Sequence, residues 1–189
     1  GGTPTSITAE QLEYLLTNLT KHLDLSVLEE FTIEANPGDL TEDKIEVLKH
    51  SAVNRVSLGV QTFNDKHLKQ IGRSHNEAQI YSTISNLKEA GFHNISIDLI
   101  YALPGQTMED VKENLAKAIA LDIPHLSLYS LILEHHTVFM NKHVHLAGNG
   151  KPQKKQRDNA KLVNFLMSNP LTRAIAHNMV SGFAEMELL

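Results

Sequence analysis

From residue 7 onward, short β-branched runs alternate with longer stretches whose apolar residues recur every three or four positions, the pattern of βα units that build a parallel sheet. Thr8 and Gln11 stand at capping-box spacing ahead of Leu12, Leu15, Leu16, Leu19 and Leu23, which predicts a helix over 9–22 packed on a sheet. Phe31 to Ala35 reads as a strand stopped by Asn36-Pro37-Gly38. Thr41 is placed to cap a second helix, with Glu42 and Asp43 in its first turn and Ile45 and Leu48 on its buried face. Arg55 to Val60 is the next strand, and Asn76 caps a helix that runs to Ala90 and ends at Gly91. Ile95 to Ile100 gives a third strand, Thr107 with Asp110 opens a helix through Leu121, and Leu126 to Leu131 is the fourth strand.

The alternation inside the strands narrows the fold. Ser57, Gly59 and Gln61 fall on one face of their strand, opposite Val56, Leu58 and Val60. The same split sets Ser96 and Asp98 against Ile95, Ile97 and Leu99, Thr32 and Glu34 against Phe31 and Ile33, and Ser127 and Tyr129 against Leu126 and Leu128. A doubly wound sheet covered by helices on both faces needs no small or polar face on every strand. A barrel wall does, since its inner face borders a lumen that admits a ligand. The expected fold is therefore α/β with parallel strands in a TIM-like (β/α) barrel. Glu34, Gln61 and Asp98 are expected to converge at the carboxyl ends of their strands, where barrel sites form.

Composition changes this picture in three ways. A net charge of −5 argues against a nucleic-acid protein, whose phosphate-binding surface shows a basic excess. With no signal-peptide pattern and no apolar run near the ~18 residues of a membrane span, a cytoplasmic protein without a membrane span is expected. The absence of cysteine excludes disulfides and thiolate metal sites from this chain. Gly1-Gly2-Thr3-Pro4-Thr5 reads as a loop with neither an initiating Met nor a preceding strand, as at a cut end.

Six motifs follow in order: Gly1-Gly2-Thr3-Pro4, Glu34-Ala-Asn-Pro37, Gly59-Val-Gln-Thr-Phe63, Gly72-Arg-Ser-His75, Asp98-Leu-Ile-Tyr-Ala-Leu-Pro-Gly105 and Leu126-Ser-Leu-Tyr-Ser130. That set resembles the oxygen-independent coproporphyrinogen III oxidase group of the radical S-adenosylmethionine (SAM) proteins, over residues 1 to about 140. His75 after Arg73-Ser74, together with Glu-Ala-Asn-Pro, is most similar to the haem-chaperone branch of that group.

The resemblance implies SAM as cofactor. It puts Gly1, Gly2 and Thr3 at the methionine amino end, makes Glu34, Gln61, Arg73 and Asp98 cofactor contacts, and sets Ile132 near the adenine. The chemistry agrees, since carboxylates suit the cofactor's cationic groups and ribose diol, and an arginine suits its carboxylate. Taken singly, each residue has a plain structural reading: Glu34 bonding a turn, Asp98 capping a helix, Arg73 a surface charge. Family members hold a 4Fe–4S cluster on a Cys-x-x-x-Cys-x-x-Cys loop after the first strand. The resemblance thus implies a partial barrel in which that strand and loop are missing, a cluster only in the parent protein, and no radical activity from this chain alone. Haem or a porphyrinogen is the implied partner. The parent is expected to be a haem chaperone or, alternatively, the enzyme that decarboxylates coproporphyrinogen III to protoporphyrinogen IX.

The remaining features are plainer. His135, His136, His143 and His145 could gather a transition metal, but no carboxylate or cysteine completes the set, so no metal site is expected. Lys151 to Arg157 reads as solvated linker, with 141–157 as a whole connecting to a helical tail at 158–189 that does not follow the family pattern. An unrelated barrel enzyme acting on a phosphorylated metabolite would need a glycine-rich phosphate loop after the last strands, and none is seen.

Overall fold

The computed structural model describes residues 3–131. Gly1, Gly2, Ile132, the histidine cluster, the 141–157 linker and the 158–189 tail lie outside them. Five helices and four strands alternate along the described chain: α1 (Ala9–His22), β1 (Thr32–Ala35), α2 (Glu42–Lys49), β2 (Arg55–Gln61), α3 (Asp65–Gln70), α4 (Glu77–Glu89), β3 (Ile95–Tyr101), α5 (Met108–Ala120) and β4 (His125–Ser130). The strands form one sheet in the order β1-β2-β3-β4. β1 pairs with β2, and β2 with β3, in parallel.

Local chemistry explains where the helices start. Thr8 and Gln11 exchange side-chain and backbone bonds in a capping box on α1, and Asn76 and Gln79 do the same on α4. Asp110 accepts from the Thr107 N–H at 2.7 Å while its own N–H donates to Thr107 Oγ1 at 3.2 Å, which closes the start of α5. Gly91, at φ +96°, ends α4 in a conformation that side chains oppose.

Three expectations need correction. Thr41 occupies the N-cap of α2, but its hydroxyl donates to the Asp43 carboxylate instead of accepting a backbone N–H. On α1 only Leu12 and Leu16 are buried; Leu15 and Leu23 are 41% and 54% exposed, so the buried stripe is narrower than the leucine count suggests. A helix also occupies 65–70, unread in the sequence, where Asn64 accepts from the Lys66 and His67 N–H groups.

Among the described residues, 3–99 with 120–127 form one compact unit, and 100–119 with 128–131 belong to a second. In the first, Val56, Leu58 and Val60 of β2 and Ile95, Ile97 and Leu99 of β3 are buried, as are Leu12, Ile45, Leu48, Ile80, Ile84 and Leu87 from the helices. Each such side chain contributes about 1.5–3 kcal/mol by leaving water. Two short 3-10 turns matter for the site: Pro4–Ser6, and Pro37–Asp39 directly after β1. Thr83 of α4 donates to the Pro37 carbonyl at 2.7 Å and holds the second turn against that helix. In the second unit Leu103, Val111, Leu115 and Ala118 are buried, and the Leu131 N–H donates to the Tyr101 carbonyl at 2.9 Å.

Candidate functional site

Strand register assembles the first half of the site. Glu34 lies beside Ser57, and Ser57 beside Ser96, so three polar positions stand in one row across β1, β2 and β3. The opposite face of each strand belongs to the core residues Ile33, Val56, Leu58, Ile95 and Ile97. Ser57 Oγ is 2.9 Å from Ser96 Oγ and donates to Asp98 Oδ2 at 3.5 Å, a long bond. Asp98 is half-buried and Glu34 exposed. The row thus offers two carboxylates backed by small hydroxyls, a surface that a polar ligand can approach closely.

The end of β2 supplies the second half. Pairing with β3 shifts between Leu58 and Gln61, and Gln61 adopts φ +68°, so regular alternation stops there. Gln61 is only 8% exposed. Its amide folds back over Gly59: a Cβ added to Gly59 would lie 2.9 Å from Gln61 Nε2 and 3.2 Å from Asn36 Oδ1. Gly59 therefore floors a small polar cradle that any side chain at that position would fill.

Asn36 ties the neighbouring turns together. Its Nδ2 donates to Asp39 Oδ2 at 2.9 Å and to Thr3 Oγ1 at 3.4 Å, while its Oδ1 accepts from Arg73 Nη1 at 3.0 Å. Lys44 Nζ donates to the Thr5 and Asp39 carbonyls at 2.8 and 2.9 Å, which fastens the 4–6 turn beside the 37–39 turn. Burial pulls the Arg73 guanidinium below its ordinary value, with Asp39 opposing the shift. It stays charged, as guanidinium does in proteins.

Of the residues expected from the sequence, Thr3 and Arg73 meet on Asn36, and Gln61 joins them across Gly59. Glu34 and Asp98 sit on the adjoining strand row. Asp98 is the fourth of seven residues in β3, not at its carboxyl end, and Gln61, the last residue of β2, adopts a positive φ where regular pairing with β3 has already shifted. Asn36, Ser57 and Ser96 were not singled out. Asn36 was nonetheless inside the Glu-Ala-Asn-Pro motif, and both serines lay on the small polar face. A separate groove of about 280 Å³ between α1 and α2 is lined by Glu13, Asp43, Glu46 and His50 among others, and none of the candidate residues borders it.

A polar face on a parallel sheet, closed at one end by interlocked turns, is the setting in which this chain matches a known family. Residues 1–118 match the Radical SAM superfamily, and the chain belongs to it. Among curated proteins it is 64% identical over 142 residues to the heme chaperone HemW of Lactococcus lactis subsp. lactis (strain IL1403), covering 75% of this chain and 38% of that protein. It is 40% identical over 190 residues to the heme chaperone HemW of Bacillus subtilis (strain 168), covering 98% of this chain and 48% of that protein. The chain thus spans less than half the length of these two relatives. Among solved structures it is similar to the Escherichia coli coproporphyrinogen III oxidase HemN, a radical SAM enzyme, with TM-score 0.71, 28% identity and coverage of 89% of this chain and 39% of the other. Streptococcus suis SuiB bound to S-adenosylmethionine shares the fold at TM-score 0.58 and 18% identity, over 89% of this chain and 34% of that one. These likenesses bear out the α/β architecture and the family read from the motifs. Among the described residues no helix is long and apolar enough to cross a membrane.

Superfamily membership implies SAM and a 4Fe–4S cluster. The residues present fit the first: two carboxylates, an arginine and a glycine-floored cradle offer partners for a zwitterionic sulfonium ligand. They do not fit the second, because the chain contains no cysteine to ligate it.

Proposed function

We propose that this chain is the SAM-binding barrel portion of a haem-metabolism protein of the haem-chaperone kind. The observation that carries the proposal is the convergence of Thr3, Gln61 and Arg73 around Asn36 and Gly59, beside the Glu34 and Asp98 carboxylates. On this reading Arg73 pairs with the cofactor's carboxylate, while Glu34 and Asp98 receive its ammonium and ribose hydroxyls. Thr3, with Gly1, Gly2 and Ile132 by resemblance, completes the set. SAM supplies, when bound, a source of the 5′-deoxyadenosyl group. The cysteines needed for reductive cleavage are not in this chain, so binding is the role assigned to its residues.

A second reading is oxidative decarboxylation of coproporphyrinogen III, favoured by the structural likeness to HemN at 28% identity. The 64% identity to a heme chaperone weighs for the first. The deciding experiment takes the full-length, cluster-loaded protein, titrates haem spectroscopically and assays coproporphyrinogen III turnover with SAM and a reductant. Haem uptake without turnover is expected. Turnover would replace the chaperone reading with the enzyme.

A further inference from the structure

We infer that His75 is a positioning residue for Gln61: its Nε2–H clamps the Val60 carbonyl and so holds the turn that lays the Gln61 amide over Gly59.

The Val60 carbonyl receives two donors. One is the Thr62 N–H at 2.8 Å, which spans a single residue, Gln61, at φ +68°. A bond from residue i+2 back to i around a positive φ is the classic γ-turn, a rare and strained arrangement. Glycine would adopt it freely, whereas a glutamine there is sustained only when its surroundings over-determine it. The second donor is His75 Nε2 at 3.2 Å, from the segment that precedes α4. A carbonyl only accepts, so this contact fixes the proton on Nε2 and leaves Nδ1 as a bare acceptor.

His75 is poorly explained as packing. It is 4% exposed, and its Nδ1 is buried without a partner. An apolar side chain would fill the same space with no polar group to desolvate. Gly38 lets the segment carrying His75 pack closely, since a Cβ there would stand 3.3 Å from His75 Cβ. What the ring adds is the bond to Val60. Its effect falls on Gln61, whose amide is set over Gly59 beside Asn36 Oδ1, to which Arg73 donates.

For its consequence on SAM this inference rests on the cofactor reading above; the clamp itself does not. The test uses the full-length protein and four forms: wild type, His75→Leu, His75→Phe and His75→Gln. Amide hydrogen exchange without ligand reads the turn through the Thr62 N–H, and calorimetric titration with SAM reads the site. With either donorless variant, Thr62 is expected to exchange about tenfold faster or more, while Val56 and Leu58 amides stay protected. The SAM Kd should rise about tenfold, equivalent to about 1.4 kcal/mol. His75→Gln, which keeps an N–H donor, should restore most of both. Unchanged Thr62 protection in a folded Leu or Phe variant overturns the inference. Should neither fold, His75→Gln decides: wild-type Thr62 protection supports the clamp, and its loss overturns it. If wild type binds no SAM yet Thr62 loosens in the donorless variants, the clamp stands and the cofactor reading falls.

Discussion

Replacing Asn36 with leucine is the sharpest test of the interlocked turns. The substitution keeps side-chain bulk and removes three hydrogen bonds, two of them to charged partners at 2.9 and 3.0 Å. A bond to a charged group contributes about 1.5–3 kcal/mol when buried. Asn36, Asp39 and Arg73 are half-buried, so solvent recovers much of that, and the 3.4 Å contact to Thr3 adds little. A net loss of roughly 2–3 kcal/mol follows, which lowers the melting temperature by roughly 5–10 °C at this size. Thermal unfolding followed by circular dichroism measures it. Asn36→Asp checks the reasoning from another side. It keeps an acceptor for Arg73 but sets a carboxylate oxygen where the donor to Asp39 stood, 2.9 Å away. Two carboxylates so close share a proton, and the folded-state pKa of the pair rises above its unfolded value. That variant should therefore recover stability on acidification and lose it as pH rises through the raised pKa. An Asn36→Leu protein that melts with wild type, or an Asn36→Asp protein indifferent to pH, would refute the account.

Gly59→Ala should cost about 1–3 kcal/mol, because the new methyl meets Gln61 Nε2 at 2.9 Å and Asn36 Oδ1 at 3.2 Å; urea titration checks it, and a gain in stability would count against the cradle. His75, whose pKa burial drives below the usual 6.5 against the opposing bond to Val60, takes up its proton more readily unfolded than folded. Stability should thus be full above pH ~6.5 and decline below it toward the lower folded pKa, with Arg73 strengthening the effect and Asp39 and Asp65 moderating it. His75→Gln should remove that part of the acid limb in a pH series of melting curves; an identical limb would show that other groups produce it. Thr8→Ala and Asn76→Ala each break a capping box and should each destabilise by about 1 kcal/mol in urea titration, with no change in SAM affinity.

Much of this fold was legible because its signals are local and redundant. An asparagine cap and a terminal glycine agree on α4, and strand alternation alone places Ser57, Ser96 and Asp98 on the polar face. Short elements escaped. Helix α3 is six residues long, too short to show periodicity, and its signal was only an asparagine followed by an aspartate. Leu15 and Leu23 misled because a leucine-rich stretch does not reveal how wide a stripe its neighbours cover. At the site, the sequence pattern identified residue types but not linkage. Nothing in Gly-Val-Gln-Thr announces that Gln61 takes a positive φ, since glutamine is not a residue that favours it. Asn36 as the meeting point of Thr3, Asp39 and Arg73 depends on partners 33, 3 and 37 residues away.

These two kinds of placement imply two kinds of rigidity within the one site. Asp98 and Ser57 stand on strands whose opposite faces are core, so their positions are fixed by the same burial that stabilises the unit. Thr3, Gln61 and Arg73 sit on turns fixed by a handful of polar bonds through Asn36, Lys44 and His75, and such bonds open at lower free energy than the core does. A ligand that engages both halves must order the turns against the strand row. Its binding free energy is then shared between contact and ordering, and it should protect the turn amides far more than those of β2 and β3. A ligand touching only the row would leave the turn amides as they are, so the exchange pattern on binding distinguishes the two modes without reference to any turnover.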